Sequence, residues 1–399
     1  MFSICKQSHP ATGVEHAISC YFFNKIEKCL VTAGANIIKV FRLIPDVDAK
    51  SRNERYSEFY PPKSKLECVA QYQLFGNIMS IETVSLANSQ RDALLLAFSD
   101  AKLSVVEYDP ENHDLRTLSL HYFEEDEMKD GWTHHHHIPI IRSDPKNRCA
   151  VMTVFGRKLV VLPFRRESSI DDNDGDIKPM SNAGGLIRAP ILASYMIILK
   201  EFIEKIDNVI DIQFLYGYYE PTLLILYEPL KTFSGRVAVR TDTCAMAAIS
   251  LNLQQKVHPV IWSVSNLPFD CVKAVPIKKP IGGTLILAVN SLIYLNQSIP
   301  PYGVSLNSIA ESSTSFPIKP QEGIKITLDC VQVGFVEDDT LVLSLKGGEL
   351  YVLTLLADSM RYVRSFNFEK AAASVLTTCI CVCENNFYSW ARDSVTRCY

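Results

Sequence analysis

The chain has 399 residues, 47% of them hydrophobic and 21% charged, with a formal net charge of −4 at pH 7. That composition supplies a large packed core. Its slightly acidic balance excludes a molecule drawn as a whole to nucleic acid or to an anionic membrane.

In chain order, short apolar runs separated by turn residues replace any helical periodicity. A starter run at 17–23 precedes a couplet of two runs at 30–41, kinked at Gly34-Ala35-Asn36. The same unit returns as 77–86 with 94–106, then as 138–143 with 150–162. It recurs as 209–215 with 223–227 and 236–239, as 269–277 with 285–294, and as 326–336 with 341–352. Further runs at 115–122 and 257–264 supply a fourth strand. Four antiparallel strands repeated along a chain make the blades of a β-propeller. The unit averages about sixty residues, beyond the usual forty to forty-five, so loops carry the excess.

Three loops do so. Residues 45–65 are polar and charged; 165–190 hold Asp171-Asp-Asn-Asp-Gly-Asp176 and suit a mobile acidic segment; 296–323 are rich in Ser, Pro and Gly without strand periodicity. Residues 194–206 fit a helix, and 195–199 fit a fourth strand equally well. A seventh starter at 371–382 predicts a seventh couplet, but 388–399 are polar and do not alternate. The expected fold is therefore an all-β, seven-bladed β-propeller whose last blade is incomplete. There is no charged-then-apolar leader at Met1 and no apolar span of bilayer length, which predicts a soluble intracellular protein.

The chemical motifs point away from catalysis. His134-His-His-His137 places imidazoles on alternate sides with no second ligand group at fixed spacing, so it reads as a polar lead into the strand at Ile138. Cys379-Ile-Cys-Val-Cys383 puts three thiols on one strand face, a buried face rather than a zinc site. Most of the twelve cysteines, among them Cys20, Cys149, Cys244, Cys271 and Cys330, lie in apolar runs and read as reduced core thiols. Gly184-Gly185, Gly282-Gly283 and Gly347-Gly348 form no phosphate-binding fingerprint, and Glu124-Glu-Asp-Glu127 reads as a solvated acidic stretch. No nucleophile–base arrangement is present, so no enzyme, cofactor, metal or small-molecule substrate is expected. Basic pairs at Arg157-Lys158, Arg165-Arg166 and Lys278-Lys279, with the rings of Tyr216-Gly-Tyr-Tyr219, keep a nucleic-acid-binding module as the alternative. They lie in different units, and the sequence names no contact residue.

Two long strings, from Ile210-Asp-Ile-Gln-Phe-Leu-Tyr to Pro229 and from Lys279-Pro-Ile-Gly-Gly-Thr to Tyr294, carry a resemblance. They resemble a family of triple-propeller scaffolds. Its members are the largest subunit of the cleavage and polyadenylation specificity factor, the large subunit of the damaged-DNA-binding complex and a splicing factor 3b subunit. Lys6-Gln-Ser-His-Pro10, Leu118-Ser-Leu-His-Tyr-Phe-Glu-Glu-Asp126, Leu159–Arg165, Val257-His-Pro-Val-Ile-Trp262, Leu267-Pro-Phe-Asp270 and Asn296–Asn307 point to the first of these. The resemblance runs from Met1 to about Phe387 and covers the first propeller only, which makes 1–387 one N-terminal domain.

It implies a nuclear scaffold of pre-mRNA 3′-end processing. Its implied partners are WD-repeat, zinc-finger and endonuclease subunits, with RNA touched indirectly or as an accessory contact, and no membrane. Family members continue beyond 387 with a string like Leu-Phe-Leu-Gly-Ser-Arg-Leu-Gly-Asn-Ser-Leu-Leu. Codons for Phe387 through Tyr399, read from the last base of each, force the first Leu and the Gly and permit every other residue. The tail 388–399 is accordingly expected to be a frame-shifted, non-family segment that removes the last couplet and truncates the protein.

Overall fold

The computed structural model describes residues 13–45, 64–99, 101–129, 138–165, 189–206, 208–229, 242–297, 299–373, 377–383, 386–391 and 394–398. Apolar runs too short for helices pair with their chain neighbours as antiparallel strands, and left-handed turn residues such as Ala35 (φ 49°) and Ala101 (φ 60°) reverse the chain between them.

The first sheet runs β1 (His16–Cys20), β2 (Cys29–Gly34), β3 (Ile37–Pro45), β4 (Ser64–Gln73). The second is β5 (Ile78–Ser85), β6 (Asp92–Phe98), β7 (Lys102–Asp109), β8 (Asp114–Tyr122), followed by a short helix, α1 (Asp126–Lys129). The third is β9 (Ile141–Ser143), β10 (Cys149–Val154), β11 (Lys158–Pro163), β12 (Tyr195–Ile198), and the fourth is β13 (Asn208–Phe214), β14 (Thr222–Glu228), β15 (Cys244–Ser250), β16 (Val260–Leu267).

The fifth contains β17 (Cys271–Pro276), β18 (Thr284–Ala288), β19 (Ser291–Asn296), β20 (Ile299–Ser305) and, after α2 (Ser308–Ser313), a short parallel addition, β21 (Ile318–Pro320). The sixth is β22 (Gln332–Phe335), β23 (Thr340–Ser344), β24 (Glu349–Ala357), β25 (Val363–Ala373). A three-stranded sheet of β26 (Thr377–Cys383), β27 (Asn386–Ala391) and β28 (Ser394–Cys398) follows.

The first strands stand next to one another around a common axis, β1 beside β5, β5 beside β9, β9 beside β13 and β13 beside β17. The core lies between successive sheets, and the period-two alternation assigns each side chain to one neighbour or the other. Leu94 and Leu96 of β6 pack toward the first sheet with Val31, Ile38 and Ile78. Leu95 and Ala97 of the same strand pack toward the third with Met152, Val160 and Leu162. Burying each such large aliphatic side chain contributes about 1.5–3 kcal/mol.

The propeller expectation holds and its blade count does not. Among the described residues six sheets carry the four or more strands of a blade, so the structure has six blades rather than seven; the last sheet has three strands. That sheet fills the gap beside the first blade: Cys379, Cys381 and Cys383 pack with Leu30, Ala17 and Phe41, while Ile380 and Val382 face Val342 and Leu350 of the sixth. The polar tail, expected to carry no couplet, forms the β27–β28 hairpin. Its pairing to β26 needs only the row of backbone N–H and C=O groups that an exposed strand edge presents.

Smaller expectations shift too. The partner of β14 is β15, not 236–239, which lie outside the described residues. Residues 195–198 take the strand alternative, with a 3₁₀ turn at Leu199–Glu201 in place of a helix. The stretch 296–323 contains β20, α2 and β21; Asn307 caps α2 by accepting from the backbone N–H groups of Ile309 and Ala310. Cys330 is exposed in a left-handed turn (φ 54°) rather than buried in a strand, because the chain reverses between buried Leu328 and Val331, where the Val331 N–H donates to the Leu328 carbonyl at 3.3 Å.

Candidate interaction surface

Loops that join first to second and third to fourth strands share one face of the propeller, and successive loops are bonded to each other. Tyr21 N–H donates to Asp92 Oδ2 at 2.9 Å, and Ser85 N–H donates to Asn147 Oδ1 at 3.3 Å. Arg148 Nε and Nη2 donate to the two Asp144 carboxylate oxygens at 2.6 and 2.8 Å, a fork-to-fork pair with both side chains buried. Its Nη1 donates to the Tyr219 carbonyl of the next blade. The Lys279 side chain then lies across Gly217, where an added Cβ would stand 2.4 Å from Lys279 Cε; only glycine, at φ +91°, allows that approach.

This bracing brings together two motifs that lie far apart in the sequence. Tyr216, Gly217, Tyr218, Lys279, Gly282, Asn296, Gln297 and Arg361 line a groove of about 360 Å³. Tyr218 is held at both sides: Trp262 Nε1 donates to its hydroxyl at 3.1 Å, and that hydroxyl donates to Gln297 Oε1 at 3.1 Å. Burial pushes the hydroxyl pKa of both Tyr216 and Tyr218 up; at Tyr218 the Trp262 bond opposes it. Among the described residues no carboxylate lines this part. A second hollow of about 560 Å³ shares Pro280, Ile281 and Arg361 with the first and continues over Leu355, Leu356 and Ala357 to a rim of Glu337, Asp338 and Asp339.

Beneath the face, the starter strands send charged groups toward the axis. Arg142 Nη2 stands 3.6 Å from Asp211 Oδ1, and Asp211 Oδ2 accepts from Ala274 N–H at 3.0 Å and from Gln213 Nε2 at 3.2 Å. Burial lowers the Lys273 pKa, against the pull of Asp211, and raises that of Glu82, against the pull of Arg142. Burial likewise lowers His16, which also feels Arg142 two blades away. Sequence reasoning missed this belt, although its signal was present: charged residues interrupt the apolar starters at Glu82, Arg142, Asp211 and Lys273.

The remaining motifs disperse. Lys158 is buried and donates to the Met128 carbonyl at 2.7 Å, on the face opposite the groove. Arg165 Nε donates to the Ala189 carbonyl at 3.3 Å, and Glu124 pairs with Lys102 at 3.4 Å. Gly282 (φ +72°) and Gly283 (φ +79°) occupy the β17–β18 turn, and Gly348 (φ +86°) the β23–β24 turn. His134 to His137, Arg166, Gly184-Gly185 and Asp171 to Asp176 lie outside the described residues. Among the described residues no group of three His, Cys, Asp or Glu is placed to hold a metal ion.

Six blades among the described residues, with loops of the first five bonded or packed one against the next, define a β-propeller that presents a braced loop surface. A family model described as the RSE1/DDB1/CPSF1 first beta-propeller matches residues 13–388, and the chain belongs to that family. It is 58% identical to "Cleavage and polyadenylation specificity factor subunit 1" of Drosophila melanogaster, over 97% of this chain and 27% of that protein. It is 36% identical to "Probable cleavage and polyadenylation specificity factor subunit 1" of Caenorhabditis elegans (89% and 23%). The relative of the former name in Arabidopsis thaliana is 35% identical (81% and 22%). The chain thus spans about a quarter of the length of these relatives.

Proposed function

We propose that this chain acts in pre-mRNA 3′-end cleavage and polyadenylation as a nuclear, non-catalytic scaffold module. It organises the WD-repeat and zinc-finger subunits that read the polyadenylation signal, with the endonuclease subunit beside them. Family membership over 13–388, together with relatives named for that factor, carries the reading. The bonded loop face supports it physically, because a preorganised surface loses little entropy on binding.

Co-expression of the tagged chain with the WD-repeat subunit, washed at about 0.5 M salt, is the test, since surface electrostatic contacts are screened at that strength. Retention of the partner supports the scaffold. Loss of the partner, with RNA affinity that falls steeply with salt, would instead favour the second reading, a nucleic-acid-binding module, for which the clustering of Tyr216, Tyr218 and Lys279 speaks.

The 388–399 segment is proposed to be the product of a shifted reading frame. A transcript that runs in frame through Asn386 would overturn that origin.

A further inference from the structure

The two joined hollows differ in chemistry. The first presents Lys279 and Arg361 with the side-chain amides of Asn296 and Gln297, and Lys278 stands exposed beside it. The second has an apolar floor of Ile281, Leu355 and Leu356, with Leu356 48% exposed and Met360 71% exposed nearby. Its far rim is Glu337, Asp338 and Asp339. Lys279 lines only the first hollow and Glu337 to Asp339 only the second, while Pro280, Ile281 and Arg361 line both. A positive hollow therefore adjoins one with an apolar floor and an acidic rim across the fourth, fifth and sixth blades.

A phosphate backbone complements only the first zone, and the acidic rim would repel its continuation. A polypeptide can match all three. Its carboxylates would meet Lys279 and Arg361, its aliphatic side chains would cover Leu355 and Leu356, and its basic residues would reach Glu337 to Asp339. Each hollow lies within the ~300–1,000 Å³ range of ordinary binding pockets.

We propose that this groove docks an extended peptide segment of a partner protein in which an acidic cluster, two apolar residues and a basic cluster follow in order. Its biological use rests on the scaffold reading. Its binding preference does not, since it is measured on the chain alone while partner retention is measured separately, so either can fail without the other.

The test uses fluorescein-labelled octapeptides and the full chain in anisotropy titrations. One probe is Asp-Glu-Asp-Leu-Leu-Lys-Arg-Lys, used also in reversed order because the groove does not fix chain direction. The control has the same composition with its charges interspersed. The better of the two segregated peptides is expected to bind about tenfold more tightly than the control, the scale of a few well-placed charged contacts. The double variant Lys279→Glu with Arg361→Glu, and separately Leu356→Asp, should each abolish that advantage while thermal melting stays within a few degrees of the parent. Equal binding of segregated and interspersed peptides, no binding of any at millimolar concentration, or insensitivity to both variants would overturn the proposal. A ten-uridine RNA that binds in their place and is lost in the Lys279 and Arg361 variant would reassign the groove to nucleic acid.

Discussion

The Thr378 hydroxyl donates to the Val14 carbonyl at 2.7 Å, joining positions 364 residues apart in the chain. Thr378 lies on β26 and Val14 stands two residues before the start of β1, so this bond ties the last described sheet to the first blade. It adds to the packing of Cys379 and Cys383 on Leu30. Thr378→Val preserves the shape and removes the donor, leaving a half-buried carbonyl without this partner. The expected loss is about 1–2 kcal/mol, seen as a lower urea midpoint with an unchanged slope. An unchanged midpoint would show that packing alone seats β26.

Arg148 and Asp144 should behave quite differently from a surface pair. Both side chains are almost wholly enclosed, at 6% and 0% exposure, and Arg148 also holds the Tyr219 carbonyl. Removing the guanidinium leaves the buried Asp144 carboxylate with only the backbone N–H groups of residues 146 and 148 as donors, so Arg148→Met is expected to cost about 3–5 kcal/mol. It should also loosen the Tyr216–Tyr219 turn. Chemical denaturation measures the first effect, and faster amide exchange at Tyr218 and Tyr219 the second. A loss below about 1 kcal/mol, the range of exposed pairs, would contradict the enclosed geometry.

The architecture was legible because its cause is local. Leu94, Leu95 and Leu96 are apolar on both faces, the mark of a strand enclosed between two sheets, and the Ala35 and Ala101 turns sit between such runs. The blade count was less legible. A starter such as 371–382 announces a sheet, but whether it gains three partners or two depends on pairing beyond any local window. The β27–β28 hairpin shows the limit from the other side: backbone pairing to β26 recruits residues that carry no alternation. The groove was invisible because Tyr218 and Lys279 sit on loops of different blades. The seating of Lys279 against Gly217 and the bond from the Tyr218 hydroxyl to Gln297 bring them together.

That seating can be measured by a double-mutant cycle. Gly217→Ala meets two obstacles, the positive φ and the Lys279 side chain in the space of the new Cβ. The backbone strain alone is about 1–3 kcal/mol. Lys279→Ala clears the space without altering φ, so the alanine at 217 should be less harmful in that background, by about 0.5–1 kcal/mol for neighbours in contact. Additive effects would mean that Lys279 swings aside freely and does not define the groove wall.

Acidification should destabilise the protein through its enclosed histidines. His258 is 2% exposed, stacks on Tyr195 at 5.8 Å between ring centroids and meets Phe202 edge-on at 5.8 Å. Burial disfavours the imidazolium and lowers its pKa below the usual 6.5, opposed by a backbone hydrogen bond to Ser250. The unfolded chain therefore takes up the proton first. Stability is fully present above about pH 6.5 and declines as the pH falls from there to the depressed folded value, below which this contribution changes no further. His16 and His121 are lowered by burial as well and add in the same direction. Glu82, whose pKa is raised by burial, acts oppositely, because its folded form retains a proton that the unfolded chain releases above about pH 4.5. His258→Phe keeps the aromatic contacts and removes the titration. Its melting temperature should fall less steeply than the parent's between pH 7 and pH 5, without becoming flat, since His16 and His121 remain. Parallel curves for parent and variant would place the acid sensitivity elsewhere.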